Sequence, residues 1–445
     1  FDVISGRTLL AYRRRHAESG ERRPAMRAFT DTLFIVFNVV MTIYFSYTVI
    51  TALFGFFKFR PYPQTDKRHR FLAVIAARNE EKVLPFLLES IRAQNYPSEL
   101  IDVLVVADNC TDRTADIARG YGVHVLERHD MSRIGKGYAL KYAFTQFRTR
   151  LMKYDAVCII DADNLMHPNF FAEMNKAYAQ GCRVAQGYRR MKNASDTWVS
   201  GSHALFFWLQ NRFFNRARGN LGLSATINGT GYMVSADLIY KNGWDTCTLT
   251  EDIEYTIKTV LSGNKVAWVP DAIIYDEQPL RFKQSWIQRK RWSIGCLQCL
   301  SRYTPALLKK LFTSPNIQYL DTISFLITMP LAVIGYISVA AKLVLSIFTG
   351  FNLMSWLSFF VFDYVVLVAL SVLVVALESR RQLRALIKAI LAYPFFLFTW
   401  PLLNFYCFFV SDLSWKPIAH VRTLSIEDML ADLDKKFSEE KQRTV

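Results

Sequence analysis

Asp161-Ala162-Asp163 places two carboxylates one residue apart, directly after the apolar run Ala156–Ile160. On a turn that ends a buried strand, such a pair can face one hard cation. Mg²⁺ or Mn²⁺ suits it, because these ions prefer oxygen ligands and bridge readily to phosphate oxygens. A cation there would neutralise charge developing on a leaving diphosphate. Further along lies Thr250-Glu251-Asp252. A carboxylate in that triplet can take a proton from an attacking hydroxyl. The same residues also read as a helix start, with Thr250 as cap and two acids favourable to the dipole. A helix start can also position a base, so the two readings are compatible.

Three further stretches carry groups of use to such chemistry. Gly135-Lys136-Gly137 precedes the helical pattern YALKYAF; glycine admits close backbone approach, and lysine offers a point charge to phosphate. A basic turn explains it equally well. Asn228-Gly229-Thr230-Gly231 is either a plain turn or a wall of small residues for an acceptor. Gln288 to Trp292 reads QRKRW. Arg289 and Arg291 could fork onto a diphosphate, and an indole face stacks on flat ligands. An interfacial helix would also hold basic residues and Trp.

These residues need a scaffold. Phe71–Ala77, Ile101–Ala107 and Ala156–Ile160 are short apolar runs, each followed by a polar cluster and then a helical pattern. Strands alternating with helices imply an α/β fold with a parallel sheet covered on both faces. Ligands then sit beyond the carboxyl ends of the strands, where Arg78–Glu81, Asp108–Asp112 and Asp161–Asp163 fall.

The whole chain suggests where this scaffold works. Of 445 residues, 51% are hydrophobic, yet the formal net charge is +16. Basic and apolar together fit a membrane protein facing anionic lipid or an anionic substrate. No zinc-finger spacing, basic zipper or aromatic RNA-binding signature supports nucleic acid as a partner. Cys296 and Cys299 form a CxxC with no second pair, and read as small apolar helix residues rather than metal ligands. We expect a basic extension over residues 1–32, a membrane helix over 33–57 and a cytosolic catalytic domain over 58–280. Basic, Trp-containing interface helices over 281–320, about three membrane helices over 321–410 and a charged tail over 411–445 follow. The positive-inside rule puts the loop Glu378–Lys388 in the cytosol, and residues 58–320 with it. The same count sends Arg13-Arg14-Arg15 and the tail outside, unless one apolar segment lies flat or re-enters.

Taken in order, IAARNEE, VVADNCTD, IGKGYAL, DAD, TED and QRKRW resemble the motifs of the membrane-integrated family 2 glycosyltransferases. That family includes cellulose, chitin, hyaluronan and poly-N-acetylglucosamine synthases. The resemblance implies a GT-A-type, Rossmann-like and mostly parallel α/β domain fused to transmembrane and interfacial helices. It implies Asp108 at a uracil, with Ala77 and Glu80 lining the nucleotide pocket and Lys136 near the donor. Asp161 and Asp163 would hold donor and Mg²⁺ or Mn²⁺. Asp252 would be the base, flanked by Thr250 and Glu251. Gln288, Arg289, Arg291 and Trp292 would cover the diphosphate and the acceptor end. The activity implied is transfer of a hexose or N-acetylhexosamine from UDP-glucose or UDP-N-acetylglucosamine, with inversion, to a growing β-linked polysaccharide at the plasma membrane. The alternative is a transferase adding one or a few sugars to a lipid acceptor, and a third reading is a binder of nucleotide-sugar without turnover.

Overall fold

The structure, a computed structural model, describes residue 32, residues 35–410 and residues 423–431. The basic extension and most of the charged tail lie outside the described residues. Residues up to Thr51 form one compact unit, and those from Ala52 onward form another.

In the larger unit the chain runs β1 (Phe71–Ala77), α1 (Leu84–Arg92), β2 (Ile101–Asp108), β3 (His124–Arg128), α2 (Lys136–Gln146), β4 (Ala156–Asp161) and β5 (Leu165–Met166). It continues through β6 (Val184–Met191), α3 (Trp198–Leu209), β7 (Tyr232–Ser235), α4 (Glu251–Leu261) and β8 (Val266–Asp276). The strands make one sheet in the order β3-β2-β1-β4-β7-β6-β8-β5. It is mostly parallel; β7 runs against β4 and β6, and β5 against β8.

The apolar runs are unbroken because both faces of the sheet are covered. Leu72 and Val74 of β1 join a core with Val157 and Ile159 of β4 and Leu140 and Phe144 of α2. Phe71, Ala73 and Ile75 point the other way, into a core with Cys158, Ile160 and the α1 residues Leu84, Leu87 and Leu88. Ala77 is paired with Ala107, and Ala76 with Asp161. That register brings the polar ends of three parallel strands to one sheet edge. Asn79 and Asn109, just past β1 and β2, both adopt positive φ, 57° and 53°, a region asparagine tolerates better than most side chains. The Thr111 amide donates to Asn79 Oδ1 at 2.8 Å and ties the two turns together.

Beyond the sheet come α5 (Phe282–Thr313), α6 (Ile317–Thr349), α7 (Leu353–Ser379) and α8 (Ile387–Cys407). Residues 281–320, expected as interface helices, are mostly the single long helix α5. Among the described residues, four helices are long and apolar enough to cross a membrane: Ile35–Phe56, Ile317–Ile347, Leu353–Gln382 and Ile387–Cys407. Two buried ion pairs clamp the ends of α6 and α7 to the π-helical turn Gln210–Arg216 and the residues after it. Arg218 forks onto Asp321 with bonds of 2.9 and 2.8 Å. Glu378 accepts from Arg212 and from the Tyr188 hydroxyl. Cutting one partner of such a pair typically costs about 3–5 kcal/mol, because the other charge is left buried. Within residues 423–431, Ile426 and Met429 are buried against Leu165 and Tyr275.

Candidate functional site

A cavity of about 1080 Å³ opens at the carboxyl edge of the sheet and extends to α5, α6 and α8. Ala77, Glu80 and Asp108 line one part of it. Asp108 Oδ1 accepts from Arg128 Nη1 at 2.6 Å and from Asn109 Nδ2 at 3.0 Å. Burial raises its pKa above the usual carboxylate range, although the Arg128 cation pulls the other way.

Lys136, Asp161, Asp163 and Gly229 line the middle. Lys136 Nζ binds the Asp161 carboxylate and donates to the Gly229 carbonyl at 2.6 Å. Burial opposes its charge, but Asp161, Glu251 and Asp252 outweigh that and raise its pKa. Gly229 has φ of 85°, and a Cβ there would lie 3.5 Å from Asp252 Oδ2. One backbone residue therefore joins the lysine of the GKG turn to the TED carboxylate. Asp163 is buried at the cavity wall. Behind it, Asn164 Nδ2 reaches both Asp163 Oδ1 at 3.3 Å and Asp276 Oδ1 at 3.0 Å. Asp276 also accepts from two nitrogens of the buried Arg189.

An oxygen-only pair on a fixed turn fits Mg²⁺ or Mn²⁺. Two carboxylates are too few to satisfy such an ion alone. Among the described residues no group of three or more His, Cys, Asp or Glu stands ready for a metal. The donor set therefore suits an ion that also takes phosphate oxygens. Thr230, expected in the acceptor wall, is fully buried and does not line the cavity. Its hydroxyl accepts from the Asp161 amide at 3.0 Å and donates to Asn164 Oδ1, so it holds the DAD turn.

Thr250 is the N-cap residue of α4, yet its side chain makes no capping bond. It lies instead against Gly295 of α5, where a Cβ would sit 2.4 Å from Thr250 Oγ1. Asp252 Oδ1 accepts from the Ile253 amide at 2.8 Å. Burial and repulsion from Asp252 push the Glu251 carboxyl up to about 7; burial raises Asp252 as well, while Lys136 and Arg291 pull both down. Glu254, one turn along α4, is fully buried and accepts from the Cys247 and Thr248 amides at 2.8 Å and from the Tyr303 hydroxyl. It anchors the TED loop to α5. Gly295→Ala should therefore move the TED turn rather than the part of the cavity around Asp108. We expect kcat about tenfold lower or worse and about 1–3 kcal/mol of lost stability, with nucleotide affinity unchanged. Isothermal titration and steady-state rates on one preparation check it; unaltered kcat would mean the contact is unimportant.

Gln288, Arg291 and Trp292 line the cavity, but Arg289 does not. The expected fork of two arginines does not form. At 100° per residue, positions two apart on a helix face opposite sides, whereas 288, 291 and 292 share a face. Arg289 is fully buried. It donates to the Phe396 carbonyl at 3.3 Å and Thr399 Oγ1 at 3.0 Å, with its guanidinium 4.3 Å from the Phe396 ring centroid. Trp292 lies near-parallel to Phe206 (6.2 Å, 21°) and to Trp400 (6.3 Å, 27°), two rings that neighbour each other, with Phe207 edge-on to it.

Sequence reasoning missed Arg189, Asp276, Glu254, Gly295, Phe206 and Trp400. Glu254 and Gly295 lie within one turn of motifs already singled out, and helical spacing could have raised them. The others reach the site only through long-range contacts.

The profile described as Glycosyltransferase like family 2 matches residues 69–295, half of the chain. A probable glycosyltransferase, YdaM, of Bacillus subtilis is 27% identical over 67% of this chain and 73% of its own. A beta-monoglucosyldiacylglycerol synthase of Nostoc is 26% identical over 58% of this chain, which spans about half of that relative's length, 54%. Among solved structures, a Pyrobaculum calidifontis mannosyltransferase in complex with GDP-Man and Mn²⁺ is similar at a TM-score of 0.55. It shares 17% identity over 82% of this chain and 97% of its own, a likeness of GT-A fold.

Proposed function

The chain belongs to the family 2 glycosyltransferases, and from that premise we propose that it is an inverting, metal-dependent membrane enzyme using a UDP-sugar. The transferred group is a hexose or N-acetylhexosamine, and the acceptor a growing β-linked polysaccharide. One observation carries the reading: Lys136 binds Asp161 and the carbonyl of Gly229, and Gly229 abuts Asp252. Donor-binding and proton-accepting carboxylates thus share one wall of the cavity.

Asp252 takes the proton from an acceptor hydroxyl held beside Trp292. The freed oxygen pair bonds to the anomeric carbon as the bond from that carbon to the diphosphate breaks. The nucleoside diphosphate leaves with the electron pair, and one displacement inverts the centre. Asp161 and Asp163 would hold Mg²⁺ or Mn²⁺, which when bound stabilises the charge of the leaving diphosphate. Lys136 and Arg291 add fixed positive charge to the same cavity. Asp108, held by Arg128, would read the base.

Purified protein in nanodiscs with Mg²⁺ or Mn²⁺ tests this. Common UDP-sugars, singly and in pairs, and GDP-mannose are offered, and nucleotide release and product length are recorded. Release from one UDP-sugar with a long β-glycosidase-sensitive product is the expected result. Donor binding without release would overturn it. A second reading, transfer to a lipid, is favoured by Phe325 and Trp400 in the cavity wall, because both belong to long apolar helices. Short products appearing only with added lipid would select it.

The carboxylate pair also sets a pH dependence. A base works only when deprotonated; burial raises both groups, and repulsion from Asp252 also lifts Glu251, to about 7. Activity should therefore fall on an acid limb set by the raised Asp252 carboxyl, above the ordinary aspartate range. Glu251→Gln removes one negative charge, which lowers the pKa of Asp252 and moves the acid limb to lower pH. Profiles of kcat/KM for both proteins check the sign; a limb moved upward would exclude the coupling.

A further inference from the structure

We propose that α8 (Ile387–Cys407) does not cross the membrane but lies on the catalytic unit as the roof of the cavity, and that its Trp400 positions the acceptor. The second half rests on the glycosyltransferase reading above; the first does not.

At 1.5 Å per residue α8 is about 30 Å long, enough to span a bilayer. Its ends indicate otherwise. At its start, Leu386 and Ala389 are buried on α3, and a Cβ on Gly201 would lie 2.4 Å from that of Ala389. At its end, Val410 packs in one cluster with Leu249, the residue before the TED triplet. Past that, Ile426 and Met429 pack on Leu165 and Tyr275 of the catalytic sheet. The chain is thus on the catalytic unit both before and after α8. Residues 411–422 could not bring it back across a bilayer. They span about 40 Å only if fully extended, which leaves backbone polar groups unpaired in hydrocarbon, and they carry Asp412, Lys416 and Arg422.

The flanks of α8 follow α5. Arg289 donates to the Phe396 carbonyl and Thr399 Oγ1, and Ser293 to Asn404 Oδ1 at 2.6 Å. Pro394 and Pro401 each remove a helical donor, and the arginine supplies donors beside them. Half of the apolar window in α8 is buried, against 22% and 17% in α6 and α7. Its other side is exposed and apolar through Leu391, Phe395, Phe398 and Leu402, with Lys388 and Tyr406 at its two ends, as suits a helix bedded in one leaflet. This path places three crossings among the described residues and leaves residues 423–431 on the side of the basic loop Arg380–Lys388.

Trp400 then becomes part of the site. Its ring lies 4.7 Å from Phe206 and stacks near-parallel on Trp292. All three line the cavity. Two indoles from different helices thus bring aromatic surface to one part of the cavity, the kind of surface a pyranose ring stacks upon.

Two measurements test this. Sealed vesicles are treated with a membrane-impermeant maleimide, and labelled cysteines are located by mass spectrometry in Glu427→Cys and Phe351→Cys variants. Cys247, exposed on the catalytic unit, is the native reference. We expect Glu427→Cys to label from the same side as Cys247, and Phe351→Cys from the other. Labelling of Glu427→Cys together with Phe351→Cys would show that α8 crosses. Separately, Trp400→Ala should raise the acceptor KM about tenfold with donor affinity unchanged, and Trp400→Phe should restore most of it. Equal loss of donor and acceptor affinity, or no rescue by Phe, would reduce Trp400 to packing. A wild-type protein that turns over no donor would overturn the acceptor role with the proposed function, while the labelling still decides the path of the helix.

Discussion

Asp252→Asn should lose at least about a thousandfold in kcat while binding the donor as tightly as the unaltered protein. Loss of a positioned general base costs about 10² to 10⁴ in rate, and a thousandfold corresponds to about 4 kcal/mol. The substitution keeps shape and size. The amide can still accept from the Ile253 amide, as Asp252 Oδ1 does now, so α4 keeps its start. It removes one buried negative charge beside Lys136 and Glu251, which leaves the fold no worse satisfied. Only the ability to take a proton goes. Single-turnover transfer alongside calorimetric titration of UDP separates the two effects. Transfer within a few-fold of the parent rate would remove Asp252 from the mechanism and turn attention to Glu251.

Asp163→Asn should cost about a hundredfold or more in kcat/KM, and donor affinity should stop rising with Mn²⁺ concentration. Several kcal/mol of charge stabilisation are at stake when a metal faces a leaving diphosphate, and each 1.36 kcal/mol is a factor of ten. Asp163 is the cleaner of the two DAD carboxylates to change. Asp161 already carries the Lys136 ammonium, so its removal would also leave a buried cation without that partner. Asp163 Oδ1 accepts from Asn164, which bridges to the Arg189–Asp276 pair, and an amide oxygen at this position can keep that bond. Titrating Mn²⁺ against UDP binding and against turnover gives both readouts. An unchanged metal requirement would place the ion elsewhere.

Much of this protein was legible without coordinates, for a local reason. An apolar run of five to eight residues bounded by polar turns reports a doubly covered strand, and Phe71–Ala77, Ile101–Asp108 and Ala156–Asp161 are strands. Covalent adjacency alone keeps Asp161 with Asp163 and Glu251 with Asp252, so their shared chemistry could be read from spacing. The grouping of Gln288, Arg291 and Trp292 on one helix face was equally available, because 3.6 residues per turn fixes it. The same period excludes the paired fork of Arg289 and Arg291, which treating QRKRW as one cluster had suggested.

Contacts between distant segments had no signal of that kind. Nothing near Thr250 announces that Gly295 must lack a side chain, and nothing in the apolar stretch 387–407 marks Trp400 as part of a cavity. A helix of Leu, Phe, Tyr and Pro has the same composition whether it crosses a bilayer or lies on a domain. Hydropathy measures what a segment avoids, not what it packs against. The sequence by itself determined the class of fold, the order of the motifs and the chemistry their side chains can supply. Tertiary structure decided which of them meet: packing and buried hydrogen bonds turn Arg289 inward to hold α8, and Arg291 and Trp292 outward to the cavity.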